Sequence, residues 1–197
     1  KKMLGKLTAG MLAVIMVFCS AISVGAADDS TYDLASLPEW SVSDGGAAVL
    51  AQNPTDANDD VAKISANSTA TIGFTNEYTG NYLFCAKVYA DNAAINIGLK
   101  NGTETVCTVP ITVGESGIAA NNWHTVKVLV SSNGKVYRTY IDDVYNSTGS
   151  ITVSDVKVNS MSFGANAELY VNDVEVSKYS SPSSAEYLKP IYESNLT

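Results

Sequence analysis

Residues 123–142 read WHTVKVLVSSNGKVYRTYID, and they decide the fold. Val126, Val128 and Val130 alternate with Thr125 and Lys127. A period of two puts aliphatics on one face of an extended strand and polar groups on the other. Ser132-Asn133-Gly134 follows, residues that accept the positive φ of a tight hairpin. Residues 135–142 read as the return strand.

The same period runs outward in both directions. Upstream, Tyr82, Phe84, Ala86 and Val88 alternate with Leu83, Cys85, Lys87 and Tyr89, and Ile95, Ile97 and Leu99 alternate with Asn96 and Gly98. Asn101-Gly102 is a second hairpin signal, with a return strand over 104–112. Residues 69–75, 61–65 and 46–50 are shorter strand candidates, the last two separated by a polar loop over 53–60. Downstream, strands are expected near 151–157, 159–164 and 167–177. No helical period is present after the N-terminal segment. About ten short strands with turn signals between them predict an all-β chain, built as a two-sheet antiparallel β-sandwich or a barrel.

The first residues stand apart. Lys1, Lys2 and Lys6 precede an unbroken apolar run from Met11 to Phe18, and Ser23-Val24-Gly25-Ala26-Ala27 supplies small residues. This is the layout of a secretory signal peptide over 1–27, with cleavage after Ala26 or Ala27. The apolar core is shorter than the roughly 20 residues a membrane span needs. The expectation is therefore a secreted, extracellular chain with no membrane contact after cleavage, held at the cell surface if further modules anchor it. Cleavage after Ala27 leaves 9 basic residues against 20 acidic ones, a net charge of -11. With that balance and one arginine, Arg138, nucleic acid is not an expected partner. Residues 28–179 read as the sandwich domain. Residues 180–197, opening on Ser180-Ser181-Pro182, read as a linker or the start of a further C-terminal module. Cys85 and Cys107 remain after cleavage, either bridged or as two buried thiols.

Catalytic patterns are missing. One histidine, His124, sits beside Trp123 at a strand start, where a structural role is expected. No E-x-D-x-x-E run sets two carboxylates on one strand face for glycoside cleavage, and Asp142-Asp143 either point to opposite faces or lie in a turn. The chain is expected not to be an enzyme. Sugar binding fits better, because pyranose faces stack on aromatic rings while their hydroxyls need planar polar partners. With the aliphatic face of each strand inward, the opposite faces carry Lys87 and Tyr89, Asn96, Thr125 and Lys127, Arg138 and Tyr140, and Glu168 and Tyr170. If their strands are neighbours, Tyr89, Asn96, Arg138, Tyr140 and Tyr170 form a ligand-binding set on one concave sheet. Trp40 and Trp123 are expected in the core.

Asn121-Asn122-Trp123-His124-Thr125-Val126-Lys127-Val128, the Asn133-Gly134 hairpin and Tyr140-Ile141-Asp142-Asp143-Val144 together resemble the W-H-x-V-x-V … G … Y-(I/V)-D-(D/G) signature of concanavalin A-like, laminin-G-like jelly rolls. Leu37-Pro38-Glu39-Trp40-Ser41-Val42 resembles the opening of such sandwiches in secreted bacterial polysaccharide-acting proteins. Leu169-Tyr170-Val171-Asn172-Asp173-Val174-Glu175-Val176 is similar to their closing strand, with Asn172 in place of an aspartate. The resemblance covers roughly residues 33–179 and implies a jelly-roll fold. It also implies a structural Ca²⁺ near Asp173, with Asp28, Asp29, Asp33 and Glu39 as further oxygen donors. The expected function is a non-catalytic carbohydrate-binding module with a polysaccharide or glycan as partner. The alternative is a laminin-G-like structural or adhesion domain without a glycan site, and a glycosidase or polysaccharide lyase ranks third. The step from this fold to a function is analogy.

Overall fold

The computed structural model describes residues 30–32, 40–43, 48–131, 133 and 135–178. The segment 1–27 expected to be a signal peptide, the expected oxygen donors Asp28, Asp29, Asp33 and Glu39, and residues 180–197 lie outside the described residues. Thirteen strands are present among those described: β1 Ser30–Tyr32, β2 Trp40–Ser43, β3 Ala48–Asn53, β4 Asp56–Ile64, β5 Ser68–Thr79, β6 Asn81–Tyr89, β7 Ala93–Asn101, β8 Glu104–Val113, β9 His124–Ser131, β10 Val136–Ile141, β11 Val144–Ser150, β12 Lys157–Ala165 and β13 Leu169–Lys178. They form two antiparallel sheets, as the alternation predicts. The larger runs β11-β10-β9-β6-β13-β4-β3, with β1 also paired to β13, and the smaller runs β2-β5-β12-β7-β8.

Hairpins stay within a sheet, and the crossovers β1 to β2, β2 to β3, β4 to β5, β5 to β6, β6 to β7, β8 to β9, β11 to β12 and β12 to β13 pass between sheets. The aliphatic faces meet in the middle. Phe84, Ala86 and Val88 of β6 and Val126, Val128 and Val130 of β9 pack with Ile95, Ile97 and Leu99 of β7 and Met161 and Phe163 of β12 in one buried cluster. The opposite faces are the outer faces of the sandwich.

Three local features depart from simple alternation. Asp142 and Asp143 have φ of 50° and 65°, so they are the two central residues of a tight hairpin between β10 and β11. The return strand β11 has no aliphatic alternation, and the sequence pattern does not reveal it. The strand expected near 151–157 is instead an irregular crossover that drops Ile151 and Val156 into the core. In β13 the register shifts between Asn172 and Glu175, with Asp173 at φ 47°. This bulge lets Val171 and Val174, three residues apart, both face inward with 0% exposure.

Both cysteines are free. Cys85 lies on the outer face of β6 opposite Lys127, whereas Cys107 pairs with core Leu99 and points inward. Burial pushes their thiols up to about 11 and about 12 respectively.

Candidate functional site

Strand order on the larger sheet gathers Tyr89, Trp123 and Tyr170 at one end of its outer face. Tyr89 of β6 and Tyr170 of β13 are direct cross-strand partners, and Trp123 immediately precedes His124, the partner of Val88. Tyr89 stands 5.5 Å from Trp123 and 5.9 Å from Tyr170, ring centre to ring centre. Trp123 is half-buried, and the expectation that it belongs to the core is corrected. It lies one residue before the aliphatic alternation of β9 begins, where the strand pattern no longer fixes its side.

Each ring has a polar anchor. The Trp123 indole N–H donates to Asn53 Oδ1 at 3.1 Å and to Thr55 Oγ1 at 3.0 Å. Asn53 and Asn172 both donate to Asp59 Oδ2, at 2.8 and 3.1 Å. The Tyr89 hydroxyl donates to Asn121 Oδ1 at 3.4 Å, and Asn121 Nδ2 donates to Asp91 at 2.9 Å. The Tyr170 hydroxyl donates to Glu168 Oε1 at 2.5 Å, while Lys63 Nζ meets Glu168 Oε2 at 2.7 Å. Lys63 and then the Tyr170 hydroxyl hold the Glu168 carboxyl below the usual range. The Glu168 hydrogen bond raises the Tyr170 phenol in turn.

Hollows open on both sides of the aromatic trio. One of about 460 Å³ is bounded by Tyr89, Asp91, Asn121, Glu168 and Tyr170, with Pro54 opposite. Another of about 250 Å³ is bounded by Trp123, Asn53, Asp59, Lys87, Asn172 and Asp173. Ring surface, amides, carboxylates and ammonium groups thus converge within a few residues. That combination offers both apolar stacking and hydrogen bonding to a polyol.

The other expected ligand-binding residues are placed differently. Arg138 and Tyr140 do lie on the outer face of the larger sheet, but they are buried, at 6% and 5% exposure. Register puts Tyr140 level with Lys127 and Cys85, four residues along β6 from Tyr89. Its ring packs edge-on to Tyr145 at 6.0 Å. Asn96 is on the outer face of the smaller sheet, so the five residues do not form one surface. Alternation sets which way a side chain faces, but sheet membership follows from strand order, which is non-local. Glu168 and Lys63 are joined to Tyr170, and Asn121 and Asn53 enter from loops and strand ends that no periodicity marks.

His124 has the structural position expected of it. Its Nδ1 meets Asp142 Oδ2 at 2.6 Å and its Nε2 meets the Ala119 carbonyl at 2.8 Å, tying the loop before β9 to the β10–β11 turn.

Asp173 is ion-paired in this structure. Lys87 Nζ lies 2.6 Å from its carboxylate, and an ammonium at that oxygen competes with a dication. Among the described residues no group of three or more His, Cys, Asp or Glu is arranged to hold a metal ion.

No family model matches the chain, and no curated protein matches it. Among solved structures it is similar to a sialidase, at TM-score 0.55 and 9% identity, covering 79% of this chain and 19% of that one. It is similar also to domain 4 of AbnA, a GH43 extracellular arabinanase from Geobacillus stearothermophilus, in complex with arabinotriose, at TM-score 0.47 and 14% identity, covering 71% of this chain and 82% of that one. The C-terminal CBM6 of LamC from Zobellia galactanivorans matches at TM-score 0.38 and 13% identity, covering 70% and 91%. The chain thus spans 19% of the sialidase's length, and that likeness shows a shared β-sandwich fold alone.

Proposed function

We propose that the chain is a non-catalytic carbohydrate-binding module of an exported bacterial protein, and that it holds polysaccharide at the Tyr89–Trp123–Tyr170 cluster. One observation carries this reading. Two half-buried aromatic rings, Trp123 and Tyr170, each sit within 6 Å of a third, Tyr89, ring centre to ring centre, and the three border two hollows lined by amides and carboxylates. A sugar ring laid on Tyr89 or Trp123 meets Asn121 and Asp91 on one side or Asn53 and Asp59 on the other. Held there, a partner module gains local concentration on its substrate. Affinity gels and calorimetry against a panel of neutral polysaccharides test the proposal. Retention that Trp123→Ala and Tyr89→Ala each weaken by about tenfold or more supports it. No retention on any polysaccharide, or retention indifferent to both substitutions, rejects it.

The burial of Arg138 and Tyr140 favours keeping a second reading, a laminin-G-like adhesion domain without a glycan site. Under it, substitution of the three rings leaves binding of a protein partner intact.

A further inference from the structure

The outer face of the smaller sheet carries a separate trough of about 470 Å³. Its floor is Gly98 of β7 with Ser162 and Gly164 of β12, and Ser162 pairs directly with Gly98. The floor has no room to rise. A Cβ at Gly98 would stand 2.5 Å from Ser162 Oγ, and one at Gly164 would stand 2.8 Å from Thr69 Oγ1. The walls present the Thr69 and Thr108 hydroxyls, the Asn96 amide and the Lys100 ammonium.

The chemistry differs from that of the aromatic cluster. The lining contains no aromatic ring and no carboxylate, in a chain of net charge -8. Lys63, Lys87, Lys127 and Lys157 each meet a carboxylate. Lys100, like Lys135 and Lys178, has no ion-pair partner among the described residues, and its Cε lies 3.9 Å from where a Gly98 Cβ would be, over the trough floor. An unpaired ammonium beside hydroxyls and an amide suits an anionic group carried on a polyol. The trough lies on a sheet face, with its floor on β7 and β12 and one wall on β8, the edge strand of the smaller sheet.

We infer that this trough is a second binding site, independent of the aromatic cluster, for a polysaccharide bearing anionic substituents. The shared chemistry is a carboxylate or sulfate placed on Lys100, with neighbouring sugar hydroxyls on Asn96, Thr69 and Thr108.

Amide chemical-shift titration of the whole chain tests this, with an oligogalacturonide, a chondroitin sulfate oligosaccharide, a neutral cello-oligosaccharide and a polyglutamate peptide as probes. The expected result is movement of the Gly98, Ser162 and Gly164 amides with one or both anionic sugars, while Tyr89 and Tyr170 stay still. The arm that responds identifies carboxylate or sulfate as the source. Lys100→Gln should weaken that binding by about tenfold, Lys100→Arg should retain most of it, and added salt should weaken it in the parent. Melting curves of the exposed-face variants confirm that the fold is kept. Still amides at Gly98 and Gly164 with both anionic sugars overturn the inference. So does an equal response to the neutral sugar, a response to polyglutamate alone, or full affinity in Lys100→Gln. Because Trp123→Ala leaves this trough untouched, failure here and failure of the aromatic site are read separately.

Discussion

The indole of Trp123 is hydrogen-bonded at 3.1 Å to Asn53, a residue 70 positions earlier in the chain. The bond fixes the ring from its edge, next to Tyr89 and at the border of a hollow. Asn53→Ala should therefore lower glycan affinity without touching a ring, by about three- to tenfold. In a Trp40→Phe background, the Trp123 emission should broaden and shift to the red as the indole gains water contact. Unchanged emission with unchanged affinity would show that the bond does not hold the ring.

Acid should weaken the Tyr170 side of the site. Glu168 is held below its ordinary value by Lys63 and the Tyr170 hydroxyl, so its contribution is complete above the unfolded carboxylate value. It is lost as pH falls through the lower folded value. Affinity measured downward from neutral pH should be flat and then decline in the acid range, and Glu168→Gln should remove that step. With Glu168 about half exposed the change should be small, a few-fold at most.

The thiols should be slow. Burial holds Cys85 near about 11 and Cys107 near about 12, so little thiolate exists at neutral pH. Titration of the folded protein with a thiol reagent should show slow modification, Cys85 ahead of Cys107. The denatured protein should react rapidly at both. A mass showing an intramolecular bridge between them would contradict the geometry, because they lie on opposite faces of different sheets.

His124→Ala should destabilise the sandwich by about 2 kcal/mol, from two lost hydrogen bonds. The loss should appear as a lower thermal midpoint. Asp142→Ala should cost at least as much, since it removes the contact to His124 and the acceptor of the Thr125 N–H and leaves alanine at φ 50°. Equal midpoints for parent and His124→Ala would remove the proposed tie between the loop before β9 and the β10–β11 turn.

Asp173 occupies a left-handed conformation at the bulge, with φ 47°. Asp173→Gly should be tolerated or mildly stabilising, and Asp173→Val should cost about 1–2 kcal/mol in chemical denaturation.

The alternation of Val126, Val128 and Val130, with Phe84, Ala86 and Val88, was enough to predict both the all-β class and the buried face. The same alternation correctly turns Tyr89, Arg138, Tyr140 and Tyr170 away from the core. It does not report what lies beside them. Arg138 and Tyr140 face outward and are nevertheless buried, and Asn96 faces outward from the other sheet. Both outcomes depend on which strands become neighbours, and that is settled by contacts between residues far apart in sequence. Strand β11 escapes notice because Tyr145, Asn146, Ser147, Thr148 and Gly149 offer no aliphatic face to count. Asp173 is expected to be a metal ligand from the likeness of residues 169–176 to a closing strand, and the bulge at that position is not visible in the periodic pattern. Trp123 misleads for a related reason, sitting one residue before the run that sets the phase.

The sheet order has a consequence for when the domain can form. β12 sits in the middle of the smaller sheet, and β13 joins β6 to β4 within the larger one. These are the last two strands among the described residues, so a polypeptide emerging N-terminus first holds both sheets in halves until Lys178 is free. Closure then comes at once, through pairings that span more than 80 residues, such as Tyr170 with Tyr89 and with Lys63. Such distant pairings make for slow folding.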